Sequence, residues 1–145
     1  MDICRAREGD SRELEKIILE EFSYTMATQK KVLQRIRSKS IFVHTARQGK
    51  EIVGFSDIEV LDAMEGTMRL NALAVKKGAR NMGIGAKILG SALAFARSLG
   101  AKKMVLLVRP DNFAAKRVYQ KAGFKNRGIY GLIDEKPAEE MEIGF

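Results

Sequence analysis

Among its 145 residues the chain has no tryptophan, one cysteine, one histidine and two prolines. With Cys4 alone no intramolecular disulfide can form, and nothing points to an oxidising compartment. One Cys and one His cannot supply the usual nitrogen and sulfur ligands of zinc, so no metal is expected. Pro110 and Pro137 stand apart, there is no low-complexity stretch or repeat, and so no linker is expected. No run of about 18 apolar residues could cross a membrane, and the opening Met-Asp-Ile-Cys-Arg lacks the apolar core of a signal peptide. These absences predict a cytoplasmic protein without a membrane partner. Residues 1–145 are expected to form one domain, since 46% apolar content suffices for an ordinary core.

Acidic residues are missing from one long stretch. From Lys76 to Arg127 there are thirteen Lys or Arg residues and a single acid, Asp111, within a chain of net charge +8. The sign reverses afterwards, at Asp134, Glu135, Glu139, Glu140 and Glu142. Surplus lysine often serves only solubility, but its concentration around a glycine-rich loop suggests an anionic ligand.

Periodicity supplies the elements. Ile3 to Ala6 reads as a short strand, and Asp10 with Glu13 resembles a capping box before the apolar face Leu14, Ile17, Ile18 and Phe22. Thr28 can cap a second helix carrying Val32, Leu33 and Ile36. Ile41–Ala46 and Glu51–Val60 read as a hairpin turning at Gly49, and Met68–Val75 as a third strand of that group. Ile84, Ile88, Ala92, Phe95 and Leu99 recur at helical spacing, widened by Leu89, Leu93 and Ala96, until Gly100. Lys103–Val108 is a short apolar strand, followed by a helix from Asp111 or Asn112 to Ala122 and Gly123 as its stop. Phe124–Leu132 and Glu140–Phe145 read as a closing strand pair. The order βααβββαβαββ implies an α/β fold with a mixed sheet.

The junction Val75 to Ile88 carries the clearest chemistry. Its glycines and lysines lead from a strand into a helix, where free N–H groups and the helix dipole favour phosphate. A P-loop is excluded, because Gly78 and Gly83 are followed by Ile84 and Gly85 rather than lysine and a hydroxyl. A dinucleotide fingerprint is excluded too, since Gly83 and Gly85 are followed by Ile88 and a seven-residue loop intervenes after Val75. What remains is Arg80-x-x-Gly83-x-Gly85 after Leu73-Ala74-Val75. Downstream runs Val108-x-x-x-Asn112-x-x-Ala115-x-x-x-Tyr119-x-x-x-Gly123-Phe124. Together these motifs resemble the GNAT superfamily of acetyl-CoA-dependent N-acetyltransferases, and in particular its ribosomal-protein-alanine and protein N-terminal branch.

That resemblance implies a sheet splayed between the strands ending at Val75 and Val108, with acetyl-CoA as co-substrate. It assigns the pyrophosphate to N–H groups of Arg80, Asn81, Met82, Gly83, Ile84, Gly85 and Ala86. The pantetheine arm would meet backbone at Leu73, Ala74 and Val75, then Asn112. It further implies direct attack of an amine on the thioester, an oxyanion polarised by N–H near Val75, and Tyr119 as the acid that protonates the departing sulfur. Relatives that acetylate the N-terminal alanine of a ribosomal protein have glutamate where Leu107 stands, and others have one near Arg69. Without either, the base would be water, ahead of Asp57, Glu59 or Glu142. His44, mid-strand, reads as a surface or packing residue, and Cys4, at the sheet edge, as a small buried apolar one.

Acceptor choice is expected in the helix pair before Ile41 and in the segment from Tyr130 to Met141, with Phe22, Tyr24, Met26, Tyr130 and Leu132 as candidate lining. The acceptor is a protein N-terminus or lysine on the first reading, and a small amine such as a polyamine or amino acid derivative on the second. A third reading, prompted by Leu107, is a module that senses acetyl-CoA without turnover. Nucleic-acid binding ranks last, for want of a groove-reading helix or aromatic platform. The chain is expected as a monomer or homodimer.

Overall fold

The chain order is β1 (Asp2–Arg5), α1 (Ser11–Glu21), α2 (Gln29–Arg37), β2 (Ile41–Gln48), β3 (Glu51–Asp62), β4 (Thr67–Val75), α3 (Ile84–Ser98), β5 (Lys103–Val108), α4 (Phe113–Ala122), β6 (Lys125–Ile133) and β7 (Lys136–Gly144). These elements come from a computed structural model that describes residues 1–145. The strands form one seven-stranded sheet in the order β1-β2-β3-β4-β5-β7-β6. All neighbours are antiparallel except β4 and β5, which the α3 crossover makes parallel. The α/β order agrees with the sequence reading element by element.

Two apolar layers sandwich the sheet. On one face Leu89, Ala92, Leu93 and Ala96 of α3 pack with Met68, Leu70, Met104 and Leu106, and α4 adds Tyr119. On the other, Leu14 and Ile17 of α1 and Val32 of α2 meet Val43, Ile52, Phe55 and Ala74. A Cβ on Gly54 would lie 2.6 Å from the Ala74 carbonyl oxygen and 2.8 Å from Ile88 Cδ1, so glycine there lets α3 lie close to the sheet. This contact fixes the start of α3, and hence the glycine loop, against the end of β4.

Local expectations differ from the structure at four places. Asp10 does not cap α1 with its side chain; its carboxylate accepts from Arg7 N–H at 2.8 Å and pairs with Arg47 at 2.5 Å. Glu13 instead accepts from Ile52 N–H at 3.2 Å, tying α1 to β3. Strand β7 begins at Lys136, four residues before the expected start, despite Pro137. There it pairs only with β6, because its β5 ladder reaches only Glu139, and the missing proline N–H costs no ladder bond. Leu99 closes α3 half-exposed rather than buried, and Cys4, on the edge strand β1, is exposed.

Candidate active site

The β4–β5 ladder runs from Thr67 with Lys103 to Leu70 with Leu106 and then stops. Beyond it Leu73, Ala74 and Val75 still pair with Ser56, Phe55 and Gly54 of β3, so one edge of β4 faces the gap. The parting begins at a bulge: Asp57 faces Ala72 and Ile58 faces Leu70, which leaves Asn71 as the extra residue. A cavity of about 510 Å³ opens at this place, lined by Leu73, Leu107, Asn112 and Tyr119 among others. Strand splay therefore brings Leu73, Asn112 and Tyr119 together although 46 positions separate the first from the last.

Tyr119 is only 9% exposed and its ring meets Phe124 edge-on at 5.8 Å. Burial pushes its phenol up to about 12, so the hydroxyl keeps its proton throughout the neutral range. Asn112 caps α4, its side-chain oxygen accepting from Ala115 N–H at 3.2 Å, which leaves the amide N–H₂ available. Leu107 lines the same cavity beside Gly131, where a Cβ would come within 2.8 Å of Leu107 Cδ1. The small residue on β6 thus makes room for the leucine.

The glycine loop lies next to this cavity but does not line it. A single 3-10 turn over Lys77–Ala79 leads to Arg80, then to Asn81 and Gly83, both with positive φ, of 65° and 74°. Helix α3 follows, and Lys87 N–H is bonded to Gly83 O at 3.2 Å. As at any helix start, the N–H groups of Ile84, Gly85 and Ala86 have no carbonyl a turn earlier to receive them. Gly85 has only Val75 Cγ2, at 3.8 Å, near its virtual Cβ. No protein atom requires glycine there, and the space in front of it is open. Ile84 is buried in the core, whereas Met82 is exposed. Arg80 Nε donates to Val75 O at 3.0 Å, and its guanidinium pairs with Glu21 at the end of α1. Glu21 does line the cavity, and so connects it to the loop.

A second cavity, of about 650 Å³, adjoins the first and shares Phe22, Tyr24, Arg69, Asn71 and Ala72 with it. On its floor Arg35 grips Asp57 with two bonds, Nε to Oδ2 at 2.6 Å and Nη2 to Oδ1 at 2.9 Å. Asn71 Nδ2 donates to Asp57 Oδ1 and Glu59 Oε1, both at 3.0 Å, and its own oxygen accepts from Arg69 Nε at 2.6 Å. The bond from Asp57, helped by the charge of Glu59, raises the Arg35 guanidinium further above its usual range against the opposing effect of burial. Arg69 Nη2 adds a bond to Glu59 at 3.3 Å.

Other expected residues lie elsewhere. Glu142 lines neither cavity and is held by Lys103 at 3.4 Å and Arg127 at 3.7 Å. His44 sits on the far face of the sheet against Phe95, ring centroids 4.6 Å apart. Phe22 and Tyr24 line both cavities and Leu132 the first, while Met26 and Tyr130 line neither. Glu21, Arg35 and Asn71 escaped the sequence reading, because no local pattern announces bonds formed across 59, 22 and 14 positions. No group of three His, Cys, Asp or Glu side chains is close enough together to hold a metal.

Solved structures share this architecture. The ribosomal-protein-alanine N-acetyltransferase of Brucella melitensis is 20% identical, with 100% of each chain covered and a TM-score of 0.88. The protein yncA of Salmonella typhimurium, solved with its cofactor acetyl-CoA, is 17% identical over 99% of this chain and 93% of that one, with a TM-score of 0.85. The paia N-acetyltransferase of Thermoplasma acidophilum, in complex with coenzyme A, is 18% identical over 99% and 98%, with a TM-score of 0.78. No curated protein matches the sequence. The family pattern described as Acetyltransferase (GNAT) family matches residues 8–124 and takes in α1, the splay, the glycine loop and α4. The chain belongs to the GNAT acetyltransferase family.

Proposed function

We propose that the protein transfers the acetyl group of acetyl-CoA to a primary amine seated where β4 and β5 part. The observation that carries this reading is the end of the β4–β5 ladder at Leu70 and Leu106, which leaves an unpaired edge at Leu73, Ala74 and Val75 beside Asn112 and Tyr119. An amide-bearing pantetheine arm has the hydrogen-bonding pattern of a strand and fits such an edge. The pyrophosphate would rest on N–H groups from Arg80 through Asn81, Met82, Gly83, Ile84, Gly85 and Ala86, at the positive end of α3. Solved GNAT relatives with acetyl-CoA and with coenzyme A support that donor.

In this mechanism the amine lone pair attacks the thioester carbonyl, forming the C–N bond and a tetrahedral oxyanion that accepts from a backbone N–H near Val75. Collapse breaks the C–S bond, and Tyr119 donates its proton to the leaving sulfur. Asp57 is committed to Arg35 and Asn71, and Glu59 shares an oxygen with Asn71 and Arg69. The ammonium proton therefore leaves through water, which suffices for an α-amine of pKa near 8. The Brucella relative supports a protein N-terminus as acceptor; a lysine or a small amine would use the same geometry.

The deciding experiment follows release of free coenzyme A thiol from acetyl-CoA across a panel of peptides and small amines. Amine-dependent release is the expected result. Tight coenzyme A binding without turnover on any acceptor would make the protein a sensor instead, and failure to bind coenzyme A would remove the donor assignment.

A further inference from the structure

We propose that the acceptor amine bears an anionic group, a carboxylate or a phosphate, which the cavity between α2 and the β3–β4 pair receives; this rests on the amine-acetylation reading above. Five charged side chains line that cavity, the cations Lys31, Arg35 and Arg69 and the anions Asp57 and Glu59. The anions are largely engaged within the protein, only Glu59 Oε2 lacking a partner. Both Asp57 oxygens are taken by Arg35, one of them shared with Asn71, and Glu59 Oε1 is taken by Asn71 and Arg69.

The cations are not spent. Arg35 uses Nε and Nη2, and Arg69 uses Nε and Nη2, so each keeps Nη1 without a partner while remaining 38% and 39% exposed. Neither Nη1 is buried without a partner, so both are open to a ligand. Lys31 Nζ touches only the Met26 carbonyl, at 3.2 Å, and is otherwise exposed. Free donors and one surplus positive charge thus face the cavity, an arrangement that a guanidinium fork offers to planar oxyanions.

The neighbouring cavity, where the amine must react, carries no surplus charge, since Glu21 and Asp134 are matched there by Arg69 and Arg109. Asp134 and Glu21 lie along its wall, and Asp134 is near enough to Tyr24 to raise that phenol, although burial of Tyr24 does so more. Arg69, Asn71 and Ala72 join the two cavities. Arg69 stands four residues before Leu73 on β4, roughly 13 Å at strand rise, so amine and anion are separated by several bonds. A polyamine would place its second cation against three others, which disfavours it.

The test uses acceptors matched in all but charge: 5-aminopentanoate against pentylamine, the tripeptide amides Ala-Ala-Glu against Ala-Ala-Gln, and spermidine. Thiol release from acetyl-CoA is measured on the intact protein, and binding of each amine is followed by calorimetry. In at least one pair the anionic member is expected to show kcat/KM about tenfold higher or more, with spermidine below both. Lys31→Met, an exposed position that leaves the Asp57 network untouched, is expected to shrink that preference at least threefold, and Arg69→Gln to abolish it. Equal or greater activity of the member without the carboxylate in both pairs, or of spermidine over both anionic amines, overturns the inference while leaving acetyl transfer in place. Carboxylate-dependent binding without turnover upholds the cavity assignment and overturns the reaction. No preference in binding or in turnover overturns the inference.

Discussion

Arg80 of the glycine loop and Glu21, the last residue of α1, form an ion pair that joins the loop to the wall of the reaction cavity. The pair holds the guanidinium between a carboxylate and the Val75 carbonyl. Negative charge at Glu21 opposes a pyrophosphate arriving at the same loop. Glu21→Gln is therefore expected to tighten coenzyme A binding about two- to fivefold, the scale of a partly exposed ion pair of up to about 1 kcal/mol. Isothermal titration with coenzyme A measures this, and weakened binding would mean that Glu21 positions Arg80 for the phosphate.

The two loop glycines should separate fold from ligand. Gly83 has φ of 74°, so a side chain there is strained whatever the ligand. Gly85 lies in the first turn of α3 with open space before it. Gly85→Ala should leave thermal stability unchanged or raise it by up to about 1 kcal/mol through helix propensity. The same change should weaken coenzyme A binding about tenfold or more, because a methyl group would stand where the phosphates approach the backbone. Thermal melts and titration on one sample suffice, and retained affinity would move the pyrophosphate away from Gly85.

What the sequence disclosed was local or periodic. Strands ending at Val75 and Val108, the α3 stripe as far as Ala96 and the Thr28 cap follow from short-range patterns, and each forms as read. What stayed hidden depends on which strands lie side by side. The bulge that turns Asn71 toward Asp57 and Glu59 arises from β3–β4 register, and Arg35 reaches Asp57 only because α2 crosses that face. Cys4, placed at the sheet edge, reads as a small buried apolar residue, but β1 has a neighbour on one side only and leaves it exposed. Asp10 misled because a tertiary partner, Arg47, outcompetes the helix N-terminus for its carboxylate.

His44 sets an acid limit on stability. It is buried opposite Ser56 on the β2–β3 ladder, and His44 Nδ1 and Ser56 Oγ both lack partners. Burial, with a smaller contribution from Arg5, lowers the imidazole to about 4 from 6.5. The folded state thus binds the proton more weakly than the unfolded chain. Its contribution is fully present above pH 6.5 and is lost as pH falls from there through 4. The loss should amount to about 2 kcal/mol at pH 4, allowing for partial solvent screening of the ring. Urea unfolding from pH 7 to 4 tests this: His44→Phe should flatten that part of the profile, and an unchanged slope would assign the acid sensitivity to other groups.

Tyr119 offers a separation of catalysis from structure that few buried hydroxyls allow. Burial alone accounts for its raised phenol, with no hydrogen-bonding group contributing. Replacing it by phenylalanine removes a desolvated hydroxyl without orphaning a partner, so stability should change by less than about 0.5 kcal/mol. Loss of a general acid should nevertheless lower kcat about tenfold or more at unchanged coenzyme A affinity. Because the group titrates at about 12, the wild-type rate should show no decline from deprotonation of Tyr119 up to pH 10. A variant with full turnover would leave Tyr119 as packing between α4 and Phe124. A lowered rate with an unaltered fold and donor affinity would tie its proton to the departing sulfur, because no structural role of the hydroxyl remains to explain the loss.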